Sequence, residues 1–198
     1  MYVIDIPIRR VLIIRIRNYG KAKVRELSAM GIEYLVFMEV ANEGKAYYPS
    51  QLMLWWYDKD KQSPVEAILD EAARYDMKVF MSTGWAKDQD DNLQDPAIKQ
   101  RQLQIMEELA VFYKNHKAFY GWYLPVEDCL CPIFAEHAVQ SVNALTKKAK
   151  ALTPDKKTLI SPYGIGLSDF DNPEYEKQLD KAESRHHSLS GRSGLCTR

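Results

Sequence analysis

Phe119-Tyr-Gly-Trp-Tyr-Leu-Pro-Val-Glu127-Asp128 reads as a short buried strand that ends in a carboxylate, with four aromatic rings in its first five residues. Pro125 discourages the strand from continuing. The next two residues then set Glu127 beyond the strand's C-terminal end, where parallel α/β folds bind their ligands. With Trp122 or Tyr123 on the pocket side, the Glu127 carboxyl loses water and its pKa rises, as a general acid requires. Asp128 adds like-charge repulsion if it shares that pocket. The alternative for the same residues is a solvated acid ahead of a helix starting at Pro132.

Outward from this stretch the chain alternates strand and helix. Tyr34-Leu-Val-Phe-Met-Glu-Val40 is a nearly continuous apolar run, as in a strand buried on both faces. Ser63-Pro-Val-Glu66 opens a helix, with Ser63 suited to the N-cap and Pro64 to the first turn. Val65, Ile68, Leu69 and Ala72 give that helix an apolar face. Met77 to Thr83 is the next strand. Asp95-Pro96 starts a long helix with Ile98, Ile105, Leu109 and Phe112 inward and Met106 at the margin. Ala118 to Leu124 is again strand. Pro132 to Leu152 is helical, with Val139, Val142, Leu145 and Ala149 inward, and Thr158 to Ser161 begins another strand. Upstream, Val11 to Ile16 reads as a strand and Lys21 to Met30 as a helix closed by Gly31.

Such alternation predicts parallel (β/α) units. About five are present, whereas a closed eight-fold barrel takes about 250 residues and this chain has 198. The fold class expected is therefore α/β, either an incomplete TIM barrel or an open doubly wound sheet. Residues 1–17 form an atypical basic and apolar segment that doubles as a first strand. Residues 18–180 form the partial barrel, and 181–198 a polar tail. A disordered tail and basic edge strand, or a reading frame cut or shifted at the ends, account equally for these terminal compositions.

Composition narrows the function. With 27 basic and 27 acidic residues the formal charge is zero, which gives a nucleic-acid partner no electrostatic footprint. No apolar run approaches the ~18 residues of a membrane span. Asp5, Arg9 and Arg10 interrupt any signal-peptide core, so the chain as written reads as cytoplasmic. Cys129, Cys131 and Cys196 read as reduced structural thiols, without the ligand set of a metal site. Gly164-Ile-Gly166 lacks the spacing of a dinucleotide fingerprint. No cofactor is expected.

Long loops follow the strands, and aromatic and acidic residues collect in them. Tyr48, Trp55, Trp85, Trp122, Tyr123 and Tyr163 are candidates to line a sugar site, because sugar C–H faces stack on aromatic planes. Rim packing is the alternative for the Trp55-Trp56-Tyr57 group. Glu39 is an acid in an apolar strand and must find a partner or a ligand. Asp88, Asp90 and Asp91 read as a solvated acidic loop.

The segment Ala118-Phe-Tyr-Gly-Trp-Tyr-Leu-Pro-Val-Glu127 resembles the bacterial family known as domain of unknown function 4434. Leu27-Ser-Ala-Met-Gly-Ile-Glu-Tyr-Leu-Val36, Ala46-Tyr-Tyr-Pro-Ser50 and the Thr158-to-Gly164 strand with Ser161-Pro162 extend the resemblance over roughly Asn18 to Glu176. The resemblance implies a TIM barrel related to glycoside hydrolases, in a family that is usually exported. By analogy with retaining glycosidases, Glu127 at the end of the fourth strand is the acid/base. Its carboxylate partner then lies on a later strand, about 5 Å away. The function expected is thus a glycoside-hydrolase-like protein that acts on or binds a carbohydrate ligand, an inactive or incomplete fragment as given. The alternatives are a carbohydrate-binding barrel without catalysis and an open α/β domain with structural acids.

Overall fold

The computed structural model describes residues 11–14, 20–85, 94–126, 134–161 and 173, with side chains from residue 20 onward. Five strands form one parallel sheet: β1 (Val11–Ile14), β2 (Tyr34–Phe37), β6 (Lys78–Ser82), β7 (Phe119–Tyr123) and β8 (Lys157–Leu159). Between them run helices α1 (Gly20–Ala29), α2 (Pro64–Arg74), α3 (Pro96–Tyr113) and α4 (Glu136–Leu152). Three short strands, β3 (Ala41–Asn42), β4 (Lys45–Ala46) and β5 (Leu54–Trp55), make a small second sheet in the connection from β2 to α2.

Two observations decide between barrel and doubly wound sheet. The main sheet is ordered β1-β2-β6-β7-β8, so each strand joins the same growing edge and the order never reverses. A doubly wound sheet has a reversal point. The helices also share one side. The larger core cluster combines Leu35, Phe37, Val79, Met81, Phe119 and Trp122 of the strands with residues of all four helices, among them Val24, Leu69, Leu109 and Leu145. The opposite face carries Val36, Met38, Phe80, Trp85 and Tyr123, with Tyr34, Tyr120 and Leu159 against them, and among the described residues no helix residue joins them. One-sided helices on a sequentially ordered parallel sheet are the wall of a (β/α) barrel, here a partial one.

The helices start where their caps say. Ser63 accepts the Glu66 N–H at the start of α2, and Asp95 accepts the Ala97 N–H at the start of α3. Gly31, at φ 79°, ends α1 in the left-handed turn that glycine adopts without strain. The buried stripes of α2 and α4 match their apolar periodicity. That of α3 does not. Gln102, Ile105, Met106, Leu109, Ala110 and Tyr113 are buried, while Phe112 is 44 % exposed. The stripe follows the 102-105/106-109-113 spacing, which turns Phe112 to the flank, where its ring meets Tyr48 at 6.5 Å.

The opening motif contains a register irregularity. Val79 stands opposite Phe119, but Phe80 stands opposite Gly121, so Tyr120 is an extra residue. Phe119 and Trp122 therefore share the helix side, while Tyr123 takes the other. Gly121 is required by close approach. A Cβ there would lie 2.6 Å from the Lys157 carbonyl oxygen and 2.8 Å from the Phe80 ring.

Candidate active site at the strand ends

Ligand chemistry in such a fold belongs at the C-terminal edge of the strands. Glu39 lies just past β2, is 5 % exposed, and accepts a 2.7 Å hydrogen bond from the Asn42 side-chain amide. This amide orientation is the reasonable one, because the flipped form would set a carbonyl against the carboxylate. Asn42 opens the Glu43-Gly44 hairpin between β3 and β4, whose two turn residues have positive φ (50° and 70°).

Gly84 joins this edge to β6. It has φ 63°, and a Cβ on it would meet the Ala41 oxygen at 2.4 Å and the Ala41 nitrogen at 2.6 Å. Trp85 next to it donates its backbone N–H to the Ala41 carbonyl over 3.0 Å and buries its ring on the helix-free face. From α3, the buried Gln102 amide reaches the Gly84 carbonyl at 3.5 Å. Two acceptors at this junction, Asn42 Oδ1 and Gln102 Oε1, are buried and have no hydrogen-bond partner. Each such atom costs about 1–3 kcal/mol.

Tyr123, the last residue of β7, is fully buried in the same apolar cluster as Trp85. Beyond it, the Leu124 N–H donates to the Leu159 carbonyl and the Val126 N–H to the Leu124 carbonyl, a tight turn around Pro125. Glu127, Asp128, Tyr163, the three cysteines and Asp88, Asp90 and Asp91 lie outside the described residues.

The remaining predicted sugar-site residues are held elsewhere. Trp122 is fully buried on the helix side, edge-on to Phe119, with its indole N–H donating to the Thr153 hydroxyl over 2.8 Å. The extra residue in β7 is what sends it there. Tyr48, between β4 and β5 in the β2–α2 connection, is fully buried, and its hydroxyl donates to Glu108 over 2.8 Å. Trp55 is half-buried on β5, stacked on Tyr57 at 5.4 Å, and its indole N–H donates to the Ser50 carbonyl. Trp85 and Tyr123 are thus brought together, and Glu39 stands at the same edge. Tyr48 and Trp122 are engaged away from them.

Sequence reasoning passed over Asn42, Gly84, Gln102 and Glu108. Gln102 had a signal. It is a polar residue three positions before Ile105 and seven before Leu109, hence on the buried stripe of α3. Glu108 had none, since a helix-surface glutamate looks solvated until the loop that folds onto it is known.

The described residues include no group of three or more His, Cys, Asp or Glu side chains that could hold a metal ion, and no helix long and apolar enough to cross a membrane. A groove of about 290 Å³ lies at the opposite, N-terminal edge of the sheet, lined by Lys78, Lys117, Tyr120 and Lys156 among others. The Lys78 ammonium donates to the Tyr34 hydroxyl there and sits 5.1 Å and 5.3 Å from the Tyr34 and Tyr120 rings. That edge of a barrel serves stability.

The strand order and the one-sided helices define a partial (β/α) barrel. A candidate α-L-fucosidase from Bacteroides thetaiotaomicron superimposes with a TM-score of 0.62 at 19 % identity, over 77 % of this chain and 51 % of that one. The endo-β-1,4-mannanase of Thermotoga petrophila gives 0.53 at 13 % identity, over 71 % and 38 %. The endo-1,4-β-mannanase of Rhizomucor miehei gives 0.54 at 11 % identity, over 77 % and 55 %. The chain spans 38–55 % of the length of these three structures. No curated protein matches the sequence. The chain belongs to the family described as domain of unknown function DUF4434, matched over residues 17–188.

Proposed function

We propose that this chain binds a glycan at the C-terminal ends of its strands, in a glycoside-hydrolase-like site. Glu39, Trp85 and Tyr123 form the inner wall, Trp55 and Tyr163 contribute outer stacking surfaces, and Glu127 is the general acid/base. The observation that carries this reading is the pairing of Trp85 and Tyr123. They follow or end adjacent strands and share the helix-free face, the interior side of a barrel. The backbone of β7 leads from Tyr123 to Val126, one residue before Glu127. The carboxylate partner of Glu127 in a retaining mechanism belongs on a later strand, about 5 Å away.

Binding and turnover of neutral manno- and fuco-oligosaccharides test this. Glu127→Gln is expected to lower hydrolysis of glycosides with poor leaving groups by at least about a thousandfold while leaving binding largely intact. Unchanged turnover removes Glu127 from the mechanism. Binding without any turnover in the unaltered chain favours a carbohydrate-binding barrel, and no binding at all ends the glycan reading.

A further inference from the structure

We propose that Glu39, Asn42 and Gln102 form an acceptor-only subsite that takes the hydroxyl donors of a neutral glycan. The proposal rests on the glycan reading above and names the side chains that would recognise the sugar. Glu39 is nearly buried, its hydrogen bond comes from Asn42, and no ion pair to it exists among the described residues. A buried carboxylate normally draws a cation or several donors. Asn42 Oδ1 and Gln102 Oε1 are likewise buried acceptors without donors. No other buried side-chain polar atom among the described residues is left in this condition.

The three groups belong to one junction. Asn42 follows Ala41, whose carbonyl takes the Trp85 N–H, and Gly84 between these strand ends is the residue that Gln102 reaches. Gly84 brings the two backbones too close for any side chain, so the junction is crowded with backbone and carbonyl oxygen. Every orphan there is an oxygen that needs a hydrogen. A sugar hydroxyl supplies one, and Asn42, itself only half-buried, is the side chain that can turn to admit it. Binding then relieves unmade hydrogen bonds, and a site built this way rejects sugars that lack the matching hydroxyl.

Gln102→Met separates this role from a structural one. Removing an orphan acceptor while keeping the volume is expected to leave Tm unchanged or raised. The affinity for whichever manno- or fuco-oligosaccharide binds the unaltered chain is expected to fall at least tenfold by calorimetry. Asn42→Ser, at the half-buried position, serves as the second variant and is expected to show the same loss. Equal binding by both variants overturns the subsite while leaving the proposed function standing. Failure of the unaltered chain to bind any of these sugars sinks both together. A Tm rise on adding Ca²⁺ that Gln102→Met abolishes overturns the proposal in favour of a cation site.

Discussion

The Tyr48 hydroxyl donates to the Glu108 carboxylate over 2.8 Å, joining residues sixty positions apart in the chain. The same carboxylate accepts from the Ser50 hydroxyl at 2.7 Å and from the Gln51 backbone N–H. Ser50 in turn accepts the Leu52 and Met53 N–H groups. One glutamate on α3 thus fixes the middle of the long connection that carries Trp55. Glu108→Ala is expected to destabilise the fold by about 3 kcal/mol, since it strands three donors, while Tyr48→Phe costs about 1 kcal/mol. Urea unfolding measures both, and a Glu108→Ala loss below that of Tyr48→Phe contradicts the account.

Trp122 and Trp85 are expected to respond in opposite ways. Trp122→Phe removes the indole bond to Thr153 and some core volume, so stability falls by about 1–3 kcal/mol. Its effect on glycan affinity is expected to be negligible, because the ring lies on the helix side. Trp85→Ala is expected to weaken glycan binding at least tenfold. Paired Tm and calorimetric measurements on the two variants check this, and a Trp122→Phe variant with impaired binding but full stability contradicts it.

Gly84 is strained for any other residue on two independent grounds, its φ of 63° and the Ala41 backbone within 2.6 Å of a Cβ. Gly84→Ala is expected to cost about 3 kcal/mol, read from the urea midpoint. Gly31→Ala has the same left-handed backbone but open space around it, so it is expected to cost about 1 kcal/mol. Equal losses at the two sites argue against the close approach.

Alkaline pH should loosen the fold through two buried phenols. Burial pushes Tyr113 up to about 12, against the opposing pull of its hydrogen bond with Ser63. Burial raises Tyr48 as well. An acid with a raised folded pKa keeps its proton more tightly when folded. The stability it contributes is complete below the unfolded value of about 10 and is lost as pH rises towards 12. Unfolding free energy measured from pH 8 to 12 is expected to drop above pH 10, and less steeply in Tyr113→Phe. Identical slopes in the two proteins contradict the assignment.

Much of the fold was legible because its signals are local. The apolar runs at Tyr34, Met77, Ala118 and Thr158 became parallel strands, each within a few residues of its expected bounds. Ser63 and Asp95 announced their helices by capping chemistry that needs no tertiary partner. The choice of a barrel over an open sheet came from the family resemblance and not from the residues' own periodicity. It depends on strand order and on which face the helices share, and both are relations between distant segments. The small β3-β4-β5 sheet was missed for its two-residue strands, too short for any periodicity. The residue types proposed for the candidate site were readable in the sequence. Which rings face inward was not, since Trp122 and Tyr123 differ in the sequence only by one step along a strand.

That one step depends on Tyr120. Before it, β7 runs in phase with β6, and after it every residue is one place late, so the strand changes parity in its middle. Inside and outside in the Trp122-to-Tyr123 half are therefore counted from the slip rather than from the strand's first residue. A chain with Tyr120 deleted loses the slip and one ring but keeps every later partner, Gly121 against Phe80 and Trp122 against Met81, so tryptophan stays with the helices and tyrosine with the interior. The same five residues paired without the slip would instead turn the tryptophan to the interior, so the slip and not the ring count decides which ring a ligand meets.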